Sequence, residues 1–349
     1  MPFRSKTVRL AATLALGLSS MPASGAMAQD VTLTVHHFLP PVANAHKVML
    51  EPWAAKVEAA SGGRIGFEIF PSMSMGGKPN ELYGQVRDGA ADIVWTLLGY
   101  TPGVFPRSEV FELPLVHAGS ATDTTIALNA SLDLLAEDFK DVHVLFLHTH
   151  DGNLIHSADR PVRTFEDAAG LKLRTPGRTG AWVIEAMGAE PVGLPVPALP
   201  EAMSKGVVDG ALTTYEIVPA LKLQELDKST TELPGGDRFG TAVFMVAMNR
   251  DAYDALPDDL KAVIDDHSRM NIAAEIGAMW EGFEDGGRKA LADAGVESIV
   301  LDDAEAAKFK AANETVVARW VEEVTAIGID GTALVEAARK AVAEAAASR

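Results

Sequence analysis

The sequence predicts an α/β protein of two domains, built on mostly parallel sheets with crossover helices. Two observations support this prediction. From Val31 onward, segments with the two-residue period of a strand alternate with segments of helical period, which is the order that parallel sheets require. The 349 residues contain no internal repeat and no long linker. Two domains joined without a linker are expected to share several crossing strands.

Seven segments are predicted as strands because apolar and β-branched residues fill them between turn signals. They comprise residues 31–35, 65–70, 91–96, 142–147, 171–174, 211–213 and 241–248.

The helices are predicted from apolar residues three and four positions apart. The first places Met49 and Trp53 on one face; Pro52 is expected to kink it, and Gly62-Gly63 to end it. A capping-box-like sequence starts another helix at Thr164. The remaining helices in this part of the chain comprise residues 79–88, 123–135, 179–187 and 199–205.

The last third of the chain is predicted to be almost wholly helical. Residues 256–294 are expected to form one long element with a bend near Gly286-Gly287. A stripe from Phe309 to Val324 marks a further helix, and an alanine-rich helix follows from Ala333.

The N-terminus has the three parts of an export signal. Arg4, Lys6 and Arg9 form a basic region, residues 10–18 form a short apolar region, and an A-x-A site ends at Ala28. The first 28 residues are therefore predicted to be a signal peptide, cleaved near Ala28. The apolar run is too short to span a bilayer. The alternative is a disordered or membrane-anchored N-terminus.

Composition limits the compartment and the partners. The chain has no cysteine, so we expect neither disulfides nor a lipid anchor, and a protein free in the periplasm. The formal net charge is −18, and loss of the three basic residues of the leader takes it to −21. Such an acidic surface argues against nucleic acid or anionic membrane as a partner.

Motifs for catalysis are missing from the sequence. It has no cysteine nucleophile, no G-x-S-x-G elbow, no H-E-x-x-H, no P-loop and no G-x-G-x-x-G. His143, His148 and His150 lie on or just after one strand, and a metal site is one interpretation of them. Histidines that line a cleft or are satisfied in the core are favoured, because His143 would point away from the other two. We predict no catalytic residue, no metal ligand and no cofactor.

Arg174 is the strongest candidate for binding a ligand. It ends the strand at 171–174, and ligands of α/β sheets bind beyond the carboxyl ends of strands. A guanidinium group holds a carboxylate through two parallel hydrogen bonds. The alternative is a surface salt bridge. Arg178 lies one turn further on and is a second candidate, unless it faces solvent.

Aromatic residues follow the predicted strands at equivalent positions. Each alone suggests core packing, but together they suggest the apolar wall of a pocket, with hydroxyl and indole groups to orient a ligand. They are Phe38, Trp95, Tyr100 and Tyr215.

An ordered set of motifs resembles the solute-binding subunit of tripartite ATP-independent periplasmic (TRAP) transporters, the dicarboxylate-binding-protein family. The most specific pieces are G-L-K-L-R at 170–174, G-V-V-D-G at 206–210, and M-N-R-D at 248–251 leading to Leu256-Pro257. Supporting pieces are L-P-P at 39–41, M-G-G at 75–77 and G-A-A-D-I at 89–93. The resemblance covers nearly all of the mature chain.

The resemblance implies a two-lobed, periplasmic-binding-protein-like fold with a long helix spanning both lobes. It assigns residues 29–151 plus 240–279 to lobe I and 152–239 plus 280–349 to lobe II. The family binds organic acids between the lobes and holds the carboxylate with an arginine, here Arg174. Many members have Glu-Asn after the Asp-Gly; here Thr213 and Tyr215 follow and are expected to replace that contact.

The resemblance implies a monomer that delivers its ligand to the membrane subunits of a transporter. We expect a monocarboxylate, aromatic or 2-oxo, although sugar acids also stack on aromatic rings. A dicarboxylate would need a second partner such as Arg178. His150 is included among the ligand-binding candidates. Two other functions stay open from sequence: a secreted enzyme acting on a carboxylate, and a chemosensory ligand-binding protein.

Overall fold

The computed structural model describes residues 1–2 and 30–349, so the predicted signal peptide lies almost wholly outside the described residues. Eleven strands lie in the described part of the chain. They are β1 (Val31–His37), β2 (Ile65–Phe70), β3 (Ile93–Leu97), β4 (His143–Thr149), β5 (Leu154–Ser157), β6 (Lys172–Thr175), β7 (Glu190–Gly193), β8 (Gly210–Thr213), β9 (Ser229–Glu232), β10 (Val243–Met248) and β11 (Glu297–Val300).

Thirteen α-helices lie in the same part of the chain. They are α1 (Glu51–Ala60), α2 (Leu82–Arg87), α3 (Ala121–Ala130), α4 (Leu132–Leu135), α5 (Arg178–Ala186), α6 (Leu199–Ser204), α7 (Val218–Leu221), α8 (Arg250–Asp254), α9 (Asp258–Asp266), α10 (Met270–Gly282), α11 (Glu284–Asp293), α12 (Asp303–Ala326) and α13 (Gly331–Ala347).

The strands form two sheets, which define two lobes. The first lobe has the order β2-β1-β3-β10-β4, and the second has β11-β9-β5-β8-β6-β7. Five of the nine strand pairs are parallel. The antiparallel pairs all involve β5, the first strand after the β4–β5 crossing, or β10, the first strand after the β9–β10 crossing. The predicted two-lobed α/β fold is confirmed.

Two chain segments cross between the lobes side by side. One joins β4 to β5, and the other joins β9 to β10. The Asn153 N–H donates to the Gly240 carbonyl at 2.8 Å, and the Phe239 N–H donates to the Asn153 carbonyl at 3.0 Å. The two crossings are therefore one hydrogen-bonded ribbon at the base of the cleft.

The predicted helical span contacts both lobes, because α10 packs on α3 and β4 while α11 packs on α7 and β11. The helix is interrupted at residues 267–269 and again at Phe283, three residues before the glycine pair. Gly287 instead allows close packing, because a Cβ atom there would lie 1.8 Å from the Tyr215 carbonyl oxygen.

Two other predicted helices differ in form. The helix expected to kink at Pro52 is π-helical over Ala45–Leu50, and α1 then carries the proline in its first turn, where no N–H is needed. The capping box at Thr164 forms, but the helix is a single 3-10 turn, Phe165–Ala168, followed by Gly170 at φ +74°.

Helix α12 packs on α5 of the second lobe, and α13 packs on α3 of the first. Our division of the chain placed residues 280–349 wholly in lobe II; the lobe boundaries stay a prediction.

Candidate functional site

A cavity lies between the two lobes, and its empty volume, counted together with space open to solvent, is about 400 Å³. Both lobes contribute to its lining, and most of the lining is apolar. The lining residues are Phe38, Leu39, Trp95, Leu97, His150, Asn153, Arg174, Pro176, Val196, Thr213, Thr214, Glu216, Ile217, Phe244 and Trp280.

Arg174 ends in this cavity with part of its guanidinium group unpaired. Strand β6 buries the side chain, which is 2% exposed. Its Nε donates to the Leu194 carbonyl at 2.9 Å, whereas Nη2 is buried and has no hydrogen-bond partner. Burial lowers the pKa of Arg174, and the neighbouring Tyr100 opposes that shift. No carboxylate of the described residues forms an ion pair with Arg174, so an uncompensated positive charge faces the cavity.

His150 offers a second donor beside it. Its Nδ1 lies 3.1 Å from the Gly152 N–H and 3.0 Å from the Thr241 hydroxyl, and in the tautomer that accepts the Gly152 N–H it carries no proton. Burial lowers the pKa of His150 well below its ordinary value, which keeps the ring neutral. A neutral imidazole that accepts at Nδ1 has its proton on Nε2. His150 can therefore donate a hydrogen bond to an anion without adding charge.

One wall of the cavity is a stack of aromatic rings. Trp95 lies between Phe38, with ring centroids 4.7 Å apart, and Phe244, with centroids 5.2 Å apart. Trp280 stacks on Phe244 at 5.6 Å. The Trp95 indole N–H donates to His148 Nε2 at 2.8 Å, so this polar group is already occupied. The Trp280 N–H likewise points to the Met49 sulfur at 3.3 Å. The wall therefore offers aromatic surface and not hydrogen bonds.

Three further polar residues line the cavity, and sequence analysis missed all of them: Asn153, Thr214 and Glu216. Asn153, in the first crossing segment, has a buried Oδ1 with no partner. Glu216 follows β8, and its Oε1 is also buried without a partner. Burial raises the pKa of Glu216 to about 8, so the group is a neutral acid at pH 7.

The other predicted site residues are placed as follows. Thr213 lines the cavity at the end of β8. Tyr100 does not line the cavity. Its ring packs edge-on against Phe38, and its hydroxyl oxygen accepts a hydrogen bond from the Val196 N–H at 2.9 Å. Tyr215 is buried away from the lining, under the Arg288 guanidinium at 4.1 Å.

Arg178 does not line the cavity. Its Nε donates to Glu109 at 2.7 Å in a partly buried ion pair, and its guanidinium group lies 5.2 Å from the centre of the Trp182 ring. Its charge is thereby compensated, in contrast to that of Arg174.

The residues that sequence analysis missed had weak local signals. Phe244 was recognised only as part of a strand, and Trp280 only as part of a helix. Their meeting with Trp95 depends on β10 lying between β3 and β4, and on α10 packing over that sheet.

Within residues 30–349, no group of three or more histidine or carboxylate side chains is arranged to hold a metal ion. His143 stacks on Tyr253 at 3.6 Å, and His148 accepts the Trp95 hydrogen bond. In the same part of the chain, we find no helix with the length and apolar character needed to cross a membrane.

Residues 35–323 match the family model of bacterial extracellular solute-binding proteins, family 7. A TRAP solute binding protein from a marine metagenome, described as specific for aromatic acid ligands, was crystallised with 3-hydroxybenzoate. It is 40% identical, with a TM-score of 0.89 over 91% of this chain and 99% of that one.

Two other solved structures are similar. A TRAP solute binding protein from Rhodoferax ferrireducens, with copurified benzoate, is 39% identical, with a TM-score of 0.89 over 91% of this chain and 99% of that one. One from Bordetella bronchiseptica, with bound (R)- and (S)-mandelate, is 28% identical, with a TM-score of 0.83 over 90% and 99%.

Proposed function

The chain belongs to family 7 of the bacterial extracellular solute-binding proteins, the solute-binding proteins of TRAP transporters, and on this premise we propose that it captures an aromatic monocarboxylate between its two lobes. The family binds its solute outside the cytoplasm for transport. The class of ligand and the residues that bind it are what we propose for this chain in particular.

The observation that carries the proposal is that the buried guanidinium group of Arg174 has no ion-pair partner. A fully buried guanidinium group without an ion-pair partner is costly, because burial removes its hydration. A ligand carboxylate bound at Nη2 would supply the missing partner. The neutral His150 would donate a second hydrogen bond from Nε2. Because the cavity presents one unpaired cation, a ligand with one negative charge matches it.

The aromatic wall supports a ring as the body of the ligand. Stacked or edge-on aromatic pairs gain about 0.5–1.5 kcal/mol beyond burial of their area. Such contacts are available from Trp95, Phe244 and Trp280. The indole N–H groups of the two tryptophans already have partners, so they offer no hydrogen bond to a polyhydroxylated ligand. Three similar proteins were solved with benzoate, 3-hydroxybenzoate or mandelate, which all carry one carboxylate and one ring.

We place this capture in the periplasm, with the first 28 residues removed as a signal peptide near Ala28. The loaded protein, as a monomer, would deliver its unchanged ligand to the membrane subunits of a TRAP transporter. Mass spectrometry of the exported protein tests the cleavage site: a mature chain beginning near Gln29 is expected, and one that retains Met1 contradicts it.

A thermal-shift screen tests the ligand class, because a ligand that binds only the native state raises its melting temperature. Benzoate, hydroxybenzoates and mandelate are expected to raise the melting temperature more than succinate or malate. A screen in which only dicarboxylates stabilise the protein would contradict the proposal.

A further inference from the structure

Glu216 is a buried acid that faces the cavity without a cation beside it. Its side chain belongs to a residue only 4% exposed, and Oε1 has no hydrogen-bond partner. It forms no ion pair with Arg174 or with any other basic side chain of the described residues. An isolated carboxylate in such a place takes up a proton, because the charged form has lost its hydration.

The neutral state of Glu216 fixes the charge of the cavity. With Glu216 protonated, Arg174 is the one charged group in the lining, since His150 is neutral as well. With Glu216 ionised, the two charges would cancel and an anionic ligand would gain little. The burial of Glu216 thus leaves the positive charge of Arg174 uncancelled in the cavity.

Glu216 and Arg174 lie in different surroundings within the cavity. Arg174 contacts Leu194 and neighbours Tyr100. The neighbours of Glu216 are Asn44 of the first lobe and Glu284 of α11, whose carboxylate accepts the Glu216 N–H at 3.4 Å. A ligand that reaches both groups needs a polar group besides its carboxylate.

We propose that Glu216 is a specificity-determining residue, which as a carboxylic acid exchanges hydrogen bonds with a hydroxyl group on the ring of the ligand. This inference rests on the proposed function, because it presupposes that Arg174 holds the carboxylate. It narrows the ligand class to hydroxylated aromatic monocarboxylates. A protonated carboxyl has one donor and one acceptor, and a phenolic hydroxyl can use both.

Several titratable groups surround Glu216, and their placement matters for its pH dependence. The Glu284 carboxylate accepts the Glu216 backbone N–H, and Glu284 Oε2 lies 4.0 Å from Arg238 Nη2. Arg288 covers the ring of Tyr215, the adjacent residue. His150 and Arg174 share the cavity. Among these groups only Glu216, His150 and Arg174 line the cavity, and burial raises the pKa of both Glu216 and Glu284 to about 8.

The test compares benzoate with its 3-hydroxy and 4-hydroxy derivatives, which share one charge. Affinities are measured by isothermal titration calorimetry at pH 7 for the wild type, Glu216→Gln and Glu216→Met. We expect the wild type to bind at least one hydroxybenzoate about tenfold more tightly than benzoate, as for one net hydrogen bond. Glu216→Gln should keep this ratio, because an amide also donates and accepts. Glu216→Met should reduce it to about one.

A pH series keeps the proposal testable if Glu216→Met does not fold. Raising the pH from 7 to 9 should weaken binding of 3-hydroxybenzoate, whose phenol titrates at about pH 10, more in the wild type than in Glu216→Gln, because Glu216 ionises only in the wild type while Glu284 ionises in both. Equal wild-type affinities for all three acids, or an equal pH loss in Glu216→Gln, would overturn this inference alone. Failure of all three acids to bind would instead overturn the proposed function.

Discussion

Gly99 of the first lobe and Gly177 of the second meet backbone to backbone across the cleft. A Cβ atom on Gly177 would lie 3.1 Å from the Gly99 Cα, and a Cβ atom on Gly99 would lie 3.1 Å from the Gly177 Cα. Gly177 is extended, with φ −145°, a conformation that any residue adopts. What requires glycine here is therefore the approach of the two lobes and not the backbone angle.

Replacing Gly177 with Thr is expected to hinder closure while leaving each lobe folded. Threonine caps a helix about as well as glycine, so α5 should persist. Overpacking of a close contact typically costs about 1–3 kcal/mol, which corresponds to a loss of affinity of about 5- to 150-fold. Calorimetry with benzoate measures the loss.

Gly286→Thr is the control for this variant, because a Cβ atom at Gly286 meets nothing within 4 Å. It should bind as the wild type does. Unchanged affinity in Gly177→Thr would mean that the ligand is bound without this lobe contact.

Phe244 is predicted to recognise the aromatic character of the ligand. Phe244→Leu keeps the wall apolar but removes a ring, so benzoate should bind about 2- to 12-fold more weakly, while the saturated analogue cyclohexanecarboxylate should change little. Competition measurements with both acids give the ratio. Phe146→Leu is the control, because Phe146 lies on the neighbouring strand and does not line the cavity. Equal losses for both acids in Phe244→Leu would show that only apolar area matters.

The contribution of Glu112 to stability is predicted to fall as the pH rises from 6.5 to 8. Burial raises the pKa of Glu112 to about 8, where its oxygens accept hydrogen bonds from Thr179 at 2.8 Å and from the Val243 N–H at 3.2 Å. In the unfolded chain this acid titrates near 4.5. Between these values the native state holds a proton that the unfolded state releases, so stability decreases as the pH rises, by up to about 1.4 kcal/mol per pH unit for such a group.

Urea unfolding at pH 6.5, 7 and 8 checks this dependence. Glu112→Gln should have a shallower decrease than the wild type, because the amide does not titrate. Buried histidines such as His117, whose pKa is lowered to about 4, add an opposing rise near pH 6.5, where the unfolded chain still binds their protons, and this rise is common to the wild type and Glu112→Gln. Equal slopes for the wild type and Glu112→Gln would contradict the prediction.

Much of the fold was predictable from sequence, because long periodic segments have strong local signals. The strands at 31–35 and 65–70 and the helix with Trp320 formed where they were expected. The family motifs were sufficient to identify the family, and the match of the family model over residues 35–323 confirms that identification. The strands β5, β7, β9 and β11 were missed because each has only four residues and no clear alternation; β9, for example, is Ser-Thr-Thr-Glu, buried only through tertiary contacts.

The site was partly predictable. A residue at the end of a strand can be placed by topology. One cavity is lined by five of the predicted residues, Arg174, Trp95, Phe38, Thr213 and His150. Trp280 and Glu216 were not predictable in this way, because their positions depend on how α10 crosses the first sheet and how the loop after β8 turns toward Asn44. Arg178 is kept out of the cavity lining by its ion pair with Glu109, which lies 69 residues away in the sequence. Such long-range pairing has no local signal.

The central claim is that Arg174 holds the carboxylate of the ligand, and calorimetry with benzoate on four proteins tests it most directly: the wild type, Arg174→Ala, Arg174→Lys and the control Arg163→Ala. Arg174→Ala should fold, because it removes a buried and partly unpaired group, and should lose about 2–5 kcal/mol of binding free energy. Arg174→Lys should recover only part of that loss, since an ammonium group lacks the planar fork. Arg163→Ala should bind with nearly wild-type affinity, because Arg163 is exposed, pairs with Glu297 of the same lobe and does not line the cavity. Wild-type affinity in Arg174→Ala would contradict the account.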